Sequence, residues 1–482
     1  MPTSITASAG PAQRPYSAFT KFEKWWISSL VAYAACFSTL SSFIYYPAIH
    51  LLSESLNVTV DNINLTITSY MAIATVAPML VGDTADTQGR RPVYIMILGV
   101  YVASNIAIAS TQSYPALLGL RVVQALAISG AFSVAYGVIA DIASPAERGS
   151  YVSIVSFAIT IAPTFGPILS GGLSYAAGWP WIFWFLAIAA GSCLVLVIFL
   201  LPETARKIVD NGSIAPPQFL RLPIKGIFSH WDGTGPHEKG QRKCQVPNPL
   251  KSLTILLRKD NTVIIMAAGL LYVVYTCVNA ALSILFVDIY GLNQWQAGLI
   301  YLPFGLGGVV STFFSGPLIN GAYRRSRMKR GLTTDKVFGE DLDEFSIERA
   351  RLSAIWAPMI LTCISIPAFG WTVHYEQHIS IPLIIQFVAG LCMQLDFSIF
   401  NTLLVDKNHR QPATAQASSN IVRCTFAAVT VAFLEDLLDA LGIGWTFTFM
   451  GGLCLVSLGF FLLDYIKGTS WRQRNLKTRC GN

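Results

Sequence analysis

Twelve long apolar runs divide the chain, and shorter polar stretches separate them. Each run is close to the ~20 residues that a helix needs to cross the ~30 Å hydrocarbon core of a bilayer. A helix satisfies its own backbone hydrogen bonds inside lipid, so the pattern predicts an all-α polytopic membrane protein with twelve transmembrane helices. The runs lie near residues 27–48, 64–82, 93–110, 115–140, 150–173, 180–201, 261–287, 296–319, 352–373, 380–404, 414–436 and 443–465.

Composition supports a membrane protein and argues against an enzyme. Of the 482 residues, 53% are hydrophobic and only 12% are charged, whereas soluble domains carry about 25% charged residues. The segments between the runs contain no His-rich metal motif, nucleophile elbow or phosphate-binding loop. The nine cysteines are scattered, mostly within the runs, without zinc or disulfide spacing. We therefore expect no catalytic residue, no metal and no cofactor.

The positive charges predict the orientation of the bundle. All but two of the 33 lysines and arginines fall in the terminal tails and in alternate loops, on one side of the predicted bundle. The two exceptions, Arg121 and Arg423, lie inside the fourth and eleventh helices. The positive-inside rule assigns the basic side, with both termini, to the cytosol. The net charge of +7 then marks a membrane face, and no nucleic-acid partner is needed to explain it.

Two sequons lie in or beside the first loop of the opposite side. They begin at Asn57 and Asn64, and each is a candidate N-glycosylation site. Both are close to the predicted membrane surface, which leaves the alternative that neither is modified.

The longest polar stretch separates six helices from six. We predict a cytosolic tail (1–25), a six-helix half (26–201), a cytosolic linker with little fixed structure (202–260), a second half (261–466) and a cytosolic tail (467–482). The polar loop after the second helix has a weak copy after the eighth, in which Gly316 aligns with Gly82 and Asn320 with Asp86. Duplicated halves with a midplane substrate site at their interface are a transporter architecture that works by alternating access.

The loop after the second helix carries a specific resemblance. Its pattern, Gly82-x-x-x-Asp86-x-x-Gly89-Arg90-Arg91, resembles the signature loop of the major facilitator superfamily, although Thr87 stands where that family usually has arginine. Further motifs follow in the fourth helix, the next loop and the fifth helix, and "PETAR" and "NIVRC" come later. Their order is similar to that in the fungal twelve-spanner drug:proton antiporters, a branch that includes quinidine-resistance-type and citrate exporters. The residues that carry the resemblance are Gly82, Asp86, Gly89, Arg90, Arg91, Arg121, Gln124, Asp141, Glu147, Arg148, Gly166 and Pro167.

The resemblance implies both a function and a gate. It implies a monomeric plasma-membrane transporter that exports a small organic molecule, such as a fungal secondary metabolite, a drug or a carboxylate, against inward proton flow. Asp86, Arg90, Arg91, Asp141, and the Glu147–Arg148 pair would then link helices at the cytosolic face and hold the outward-facing state. Two alternatives stay open: an importer or uniporter of an organic acid, and a non-transporting sensor with the same fold.

Charged residues inside the membrane are candidates for the transport pathway, because burying them there is costly. Arg121 has Gln124 one turn away, and Arg423 has Asn420 one turn before it. The two arginines either clamp an anion from opposite sides of a central cavity or hold neighbouring helices. Asp396 either carries a proton or is a structural carboxyl bonded to a neighbouring polar group such as Ser398 or Asn401.

Two helix faces complete the candidates. Tyr272, Tyr275 and Asn279 share one face of the seventh helix and either line the cavity or pack in the core. In the fifth helix, small residues recur at i+4 spacing, which permits close helix approach in lipid, and a proline adds an expected kink. We expect this stripe to form a sliding contact between moving helices; its members are Ala158, Ala162, Gly166 and Ser170, with Pro167 beside them.

Overall fold

The computed structural model describes residues 16–45, 48–214, 216, 250–292, 296, 299–331, 345–409 and 411–480. The regular structure in these ranges is entirely helical. Most helices coincide with the predicted apolar runs, because only a helix satisfies its backbone polar groups locally in lipid. They are α1 (Lys21–Phe43), α2 (Ile49–Leu56), α3 (Val60–Gln88), α4 (Arg90–Ser110), α5 (Tyr114–Ile128), α6 (Ala131–Ile142), α7 (Arg148–Ala177), α8 (Pro180–Leu200), α9 (Arg206–Val209), α10 (Leu250–Leu256), α11 (Lys259–Tyr290), α12 (Tyr301–Met328), α13 (Ile347–Leu352), α14 (Trp356–His374), α15 (Ser380–Lys407), α16 (Pro412–Ala432) and α17 (Leu434–Cys480).

The long helices account for the twelve predicted spans. Within the described residues, ten helical segments are long and apolar enough to cross a membrane, and the bent helix α7 makes eleven. The remaining predicted run is α16, which is helical over 21 residues. Its polar residues, among them Gln416, Asn420 and Arg423, make it less apolar than the other eleven. The prediction of an all-α polytopic bundle is confirmed.

The buried apolar side chains form two hydrophobic cores, one in each half of the bundle. One gathers side chains mainly between Phe19 and Leu201, and the other gathers side chains mainly between Ile255 and Phe461. The two sets of helices meet where α3 and α6 pack on α16, and where α7 packs on α12 and α15. The substrate pathway of a two-half transporter lies along such an interface, so these contacts frame the region in which a site is sought.

The small-residue stripe of α7 packs within its own half. A Cβ on Gly166 would lie 3.2 Å from the backbone nitrogen of Ile44, so this glycine permits the close approach of the end of α1. Ala162 belongs to the first core. The helix bends by 41° between Ala162 and Thr164, four residues before Pro167, where a proline ring clashes with the carbonyl of residue i−4.

The face of α7 that meets the other half carries polar residues with small side chains. Ser315 on α12 donates to Ser153 at 2.6 Å, and Thr160 donates to Gln394 on α15 at 2.6 Å. A Cβ on Gly305 would lie 2.4 Å from the side chain of Thr164. The contacts of α7 with the other half thus lie on a different face from the stripe, and the sliding role of the stripe stays a prediction.

The first part of the predicted linker is folded. Glu203 is fully buried, and α9 follows it. Arg206 donates to the carbonyl of Asp141 at 2.8 Å, and Lys207 donates to the carbonyl of Asp86 at 2.9 Å. This segment therefore packs on the end of the bundle that carries Gly89 and the start of α7, which we call the basic end. Residues 217–249 of the linker and 1–15 of the N-terminal tail lie outside the described residues.

Candidate functional site

A cavity lies between the two halves. It has a volume of about 30 Å³ and is partly open to solvent. Helices α1, α6 and α7 of the first half and α11, α15 and α16 of the second contribute its walls. The lining residues are Thr39, Phe43, Tyr136, Ser156, Ile159, Thr160, Tyr272, Tyr275, Phe397, Asn401 and Arg423.

Arg423 is the cation among the lining residues. Its guanidinium carbon lies 4.2 Å from the ring centre of Tyr272 and 5.7 Å from that of Phe397. The Tyr272 and Tyr275 rings stack on each other at 5.6 Å with an interplanar angle of 23°. Within the described residues, the buried Nε of Arg423 has no hydrogen-bond partner. The ring faces stabilise the cation and leave a donor free to meet an anionic or carbonyl oxygen.

The wall beside Arg423 is a polar cluster shared by the two halves. Asn401 of the second half donates to the Tyr136 hydroxyl at 2.9 Å and to Ser156 at 3.3 Å. The Tyr136 and Ser156 hydroxyls are themselves 2.8 Å apart. The Asn401 Oδ1 has no partner among the described residues. The cavity therefore pairs a cation and two stacked rings with hydroxyl and amide groups, a combination that suits an organic molecule with both flat apolar and polar parts.

Three polar residues of the cavity wall, Tyr136, Ser156 and Thr160, are not predicted from the sequence. Each is an ordinary polar residue in an apolar helix, and nothing local distinguishes it. A weak signal was present on α7, where Ser153, Ser156, Thr160 and Thr164 recur at i+3 and i+4 spacing. These hydroxyls mark the face of α7 that points toward the other half.

The polar segment predicted as a loop after the second helix is helical except at Gly89: it forms the end of α3 and the start of α4, and it closes the basic end. Arg90 donates to Asp86 at 2.6 Å and to Asp141 at 3.0 Å. The other Asp86 oxygen accepts from the backbone of Thr414 at 3.1 Å and from its hydroxyl at 2.6 Å. Thr414 stands in the first turn of α16, where a carboxylate also interacts favourably with the helix dipole. These contacts join α3, α4 and α6 of the first half to α16 of the second.

The glycines of this segment, Gly82 inside α3 and Gly89 between α3 and α4, permit close approach. Gly89 has φ +117°, in the region that favours glycine, and a Cβ there would lie 2.7 Å from Glu203. Glu203 accepts from the backbone N–H groups of Arg90 and Arg91 at 2.9 and 3.3 Å. A Cβ on Gly82 would lie 3.0 Å from the carbonyl oxygen of Ala413, at the contact between the halves.

The hydrogen bonds described for Arg91 and Thr87 lie within the first half. Arg91 donates to the carbonyl of Ile198 at 2.7 Å. Thr87, at the position of the missing arginine, donates to the carbonyls of Asp83 and Thr84 in its own helix. In the contacts described, the link to the second half therefore runs through Asp86.

The comparisons with known proteins agree with this architecture. A sequence model of the Major Facilitator Superfamily matches residues 31–431. The chain belongs to the major facilitator superfamily. Like its curated relatives, it is a transporter and not an enzyme.

The relatives are fungal. The chain is 33% identical over 470 residues to the MFS-type transporter tstD of Talaromyces stipitatus, covering 96% of this chain and 85% of the relative. It is 32% identical over 490 residues to Citrate exporter 1 of Aspergillus niger, covering 99% and 93%.

Solved structures of the superfamily share the fold. The human organic anion transporter MFSD10 has 16% identity and a TM-score of 0.60, and the match covers 91% of this chain and 99% of that one. The proton:xylose symporter XylE has 14% identity and a TM-score of 0.62, with coverages of 92% and 95%. At these identities the likeness concerns the fold alone.

Of the transporter's two intramembrane arginines, Arg121 lies outside the cavity lining. Its guanidinium carbon is 4.3 Å from the Tyr45 ring centre and 4.4 Å from that of Tyr70. It also donates to Gln124 at 2.6 Å, and Gln124 donates to Asn105 at 2.8 Å. The side chain is only 1% exposed. Two ring faces and an amide chain thus hold this cation inside the first half.

Asp396 is buried between α15 and α14. The Thr362 hydroxyl donates to its Oδ2 at 3.4 Å, and its Oδ1 has no partner among the described residues. The expected alternative partners lie elsewhere: Asn401 bonds to Tyr136, and the Ser398 hydroxyl is without a partner in the same residues. Among the described residues, the Thr362 hydroxyl is therefore the hydrogen-bond donor found for this carboxyl.

The side-chain amides of Asn279 and Asn420, near the cavity, donate hydrogen bonds to backbone carbonyls. Asn279 donates to the Tyr275 carbonyl at 2.7 Å on its own helix and lies outside the cavity lining. Asn420 donates to the Ala74 carbonyl of α3 at 3.1 Å and so bridges the two halves.

A second set of charges closes the basic end of the transporter. Asp406, in the last turn of α15, accepts from Arg148 at the start of α7 and from Arg351 of α13, the latter at 2.8 Å. All three side chains are fully buried. Glu147 pairs with Lys24 at 2.6 Å. Arg148 belongs to the first half and Asp406 to the second, so their ion pair crosses the interface.

The weak repeat in the sequence has a structural counterpart. Asn320, which aligns with Asp86, accepts from the backbone of Gly149 at 3.0 Å and donates to Ser150 at 2.9 Å. Each half thus extends a polar side chain from the end of its second long helix to the first turn of a helix in the other half.

The sequons lie at the opposite end of the bundle. Asn57 caps α2 with φ +50° and is exposed. Asn64 is inside α3, and its side chain is outside the described set. Its sequon partner Thr66 is fully buried and bonds to Tyr45 at 2.9 Å.

Proposed function

We propose that this transporter exports a small organic monoanion with an aromatic or conjugated skeleton across the plasma membrane, by alternating access and in exchange for protons. The observation that supports this most is the position of Arg423 in the cavity, against Tyr272 and with a free donor. The stacked tyrosines offer ring faces to a flat substrate, and the Tyr136–Ser156–Asn401 cluster offers polar contacts.

The number of charges in the cavity narrows the substrate class. Its lining contains one arginine, while the other lining residues are aromatic, aliphatic, hydroxyl or amide side chains. One cation neutralises one carboxylate, and further buried carboxylates would stay unpaired at considerable cost. We therefore favour a monocarboxylate or phenolate over a tricarboxylate, although a relative of this chain is named as a citrate exporter.

We propose export as the direction of transport because a relative of this chain is named as an exporter; the closed basic end by itself fits either direction, since alternating access runs both ways. The positive-inside rule places the basic end, with both termini, in the cytosol. That end is closed by Asp86 with Thr414 and by Arg148 with Asp406. In the cycle that we propose, this end opens to take up cytosolic substrate and then closes, as one half rocks against the other around the cavity.

Asp396 is our candidate for the proton carrier. Asp141, Asp406 and Asp464 each face a cation, whereas Asp396 has the single hydroxyl contact. It directly precedes Phe397, which lines the cavity on the same helix. A change in its protonation would alter how α15 packs on α14, and α15 carries both Phe397 and Asn401.

Export by a strain of yeast without its own exporters tests the substrate class. Cells expressing the wild type or Arg423→Gln are loaded with aromatic monocarboxylates, neutral aromatics and tricarboxylates, and efflux is followed with and without a protonophore. We expect protonophore-sensitive efflux of the monocarboxylates. Leaving a buried charge unpaired costs ~2–5 kcal/mol, so we expect Arg423→Gln to slow this efflux by roughly 30-fold or more. Arg325→Gln, an exposed arginine of the basic end, is the control.

The possible results separate the alternatives. Equal efflux of monocarboxylates by wild type and Arg423→Gln would refute the role of the arginine. Net uptake would favour an importer or uniporter. If the protein reaches the plasma membrane and moves nothing in the panel, the result favours a sensor over a transporter of these compounds.

A separate experiment tests proton coupling. In proteoliposomes, Asp396→Asn should abolish transport driven by a pH gradient but retain substrate exchange, because a neutral amide mimics the protonated carboxyl. Thr362→Val, which removes the hydroxyl contact but keeps the carboxyl, should retain both. Full gradient-driven transport by Asp396→Asn would exclude this residue as the carrier.

A further inference from the structure

A second hollow lies at the basic end, apart from the cavity. It has a volume of about 190 Å³ and is open to solvent. Helix α1 forms one wall, the start of α7 forms the back and the last turns of α12 form the other wall. We call it the crevice; its lining residues are Lys21, Trp25, Glu147, Ser150, Tyr151, Asn320 and Arg324.

The crevice is positively charged. Glu147 is neutralised by Lys24 at 2.6 Å, with both side chains buried. Glu23, also near the start of α1, accepts a hydrogen bond there from the helix-capping backbone N–H at 2.7 Å. Lys21 and Arg324 are both exposed, and they stand on opposite walls. An anion between the walls therefore meets two cations and one neutralised acid.

Aromatic residues place the crevice at the level of the lipid headgroups. Trp25 is 51% exposed, and its ring lies 5.6 Å from that of Tyr151 on the back wall. On the same end of α1, Phe22 is 80% and Trp26 is 39% exposed. Tryptophan and tyrosine concentrate where hydrocarbon meets water, and basic residues at that depth attract anionic lipids.

We propose that the crevice binds the headgroup of an anionic phospholipid. The phosphate would lie between Lys21 and Arg324, and the acyl chains would pass along the exposed aromatic side chains of α1. A lipid fits better than a soluble anion because the apolar rings beside the cations give its chains a surface to cover.

The walls of the crevice belong to different halves, so a bound lipid would influence the movement of the halves during the transport cycle. Asn320 accepts from Gly149 and donates to Ser150 at its floor, and these bonds hold α12 against α7. In this closed conformation, Lys21 of α1 and Arg324 of α12 line the same hollow. A bound headgroup therefore stabilises the closed basic end, since a ligand favours the conformation that binds it better.

Thermal unfolding of the purified full-length protein in a neutral detergent tests the proposal. The probes are phosphatidylglycerol, phosphatidylcholine and soluble glycerol phosphate. We expect phosphatidylglycerol to raise Tm more than phosphatidylcholine does. At ~1 kcal/mol per basic residue, Lys21→Gln with Arg324→Gln should weaken phosphatidylglycerol binding by about 30-fold. Native mass spectrometry counts the lipid that stays bound.

A matched control distinguishes lipid binding in the crevice from a general attraction of anionic lipid to basic residues. Arg325→Gln with Lys329→Gln removes the same charge from the exposed end of α12 outside the crevice, and should keep the lipid response. Equal loss in the two double variants, or an equal response to both lipids, would overturn the proposal. An equal rise in Tm with glycerol phosphate would also overturn it, because the site would then bind a soluble anion.

Discussion

Replacing Asp406 by asparagine should open the basic end of this transporter. The carboxylate is fully buried and is shared by Arg148 of the first half and Arg351 of the second. The substitution preserves shape and leaves two buried arginines without their anion. Arg148 retains a hydrogen bond to Tyr16 at 2.9 Å and Arg351 one to the Pro145 carbonyl, but neither partner carries a countercharge.

The magnitude follows from the burial of the three charges. Breaking a buried ion pair by removing one partner costs ~3–5 kcal/mol, and a factor of ten in an equilibrium is about 1.4 kcal/mol. Only the closed end brings Arg148 to Asp406, so the cost falls largely on that conformation. The ratio of closed to open molecules should therefore fall by roughly two to three powers of ten. Arg148→Gln should have a smaller effect, because it leaves a neutral Arg351–Asp406 pair.

Distances between spin labels measure the opening. Labels at Gln88 and Lys329, both exposed at the basic end and on different halves, should give one short distance in the wild type and a longer second population in Asp406→Asn. The control is Asp464→Asn, which removes a buried carboxylate paired with Lys407 at 2.6 Å inside the second half. It should lower Tm without adding the longer distance. Unchanged distances in Asp406→Asn, or the same opening in both variants, would refute the reasoning.

Three further predictions concern packing, modification and pH. Gly390→Ala should lower the free energy of unfolding by more than about 1 kcal/mol, because the added Cβ would lie 2.2 Å from a carbonyl oxygen of α12. The measurement is Tm in detergent, and an unchanged Tm would contradict the close contact. Expressed in a glycosylating host, the protein should lose mass on endoglycosidase treatment, and Asn57→Gln should abolish that loss, since Asn57 is exposed at the turn after α2. Burial alone raises the pKa of Glu348, but Lys407 and Arg472 hold the pKa below its ordinary value of 4.5. As pH falls, the Glu348 carboxyl is therefore protonated at a higher pH in the unfolded protein than in the folded protein. The stability that Glu348 contributes at neutral pH should be lost as pH falls below about 4.5. Over that range, Glu348→Gln should show a smaller loss of Tm than the wild type.

The architecture was accessible from the sequence because the membrane imposes a local rule. Any run of sufficient apolar length must be helical in lipid, so the spans could be read without knowing their neighbours. Gly89 was identifiable for a similar reason, since its positive φ is a local backbone demand that glycine meets. Even α16 was predicted as a helix, although Arg423 and its polar neighbours reduce its apolar character.

The roles of the charged residues were not accessible in the same way. Arg121 and Arg423 look alike in the sequence, each an arginine in an apolar helix with an amide one turn away. In the structure, Arg121 lies between Tyr45 and Tyr70 inside one half, while Arg423 lines the cavity. The difference lies in the rotation of α5 and α16 about their axes, which depends on the packing of all their neighbours.

The sequence by itself therefore determined the helical class of the spans, the basic end and the need for glycine at position 89, because apolar length, charge and glycine act over a few residues. Only the tertiary structure decided which polar groups meet. Asp406 reads as an ordinary helix-end acid, yet its partner Arg148 is 258 positions away, and Glu203 binds a loop more than a hundred positions before it. Contacts of this range depend on how two separately packed halves come together, and no local pattern of residues records that geometry.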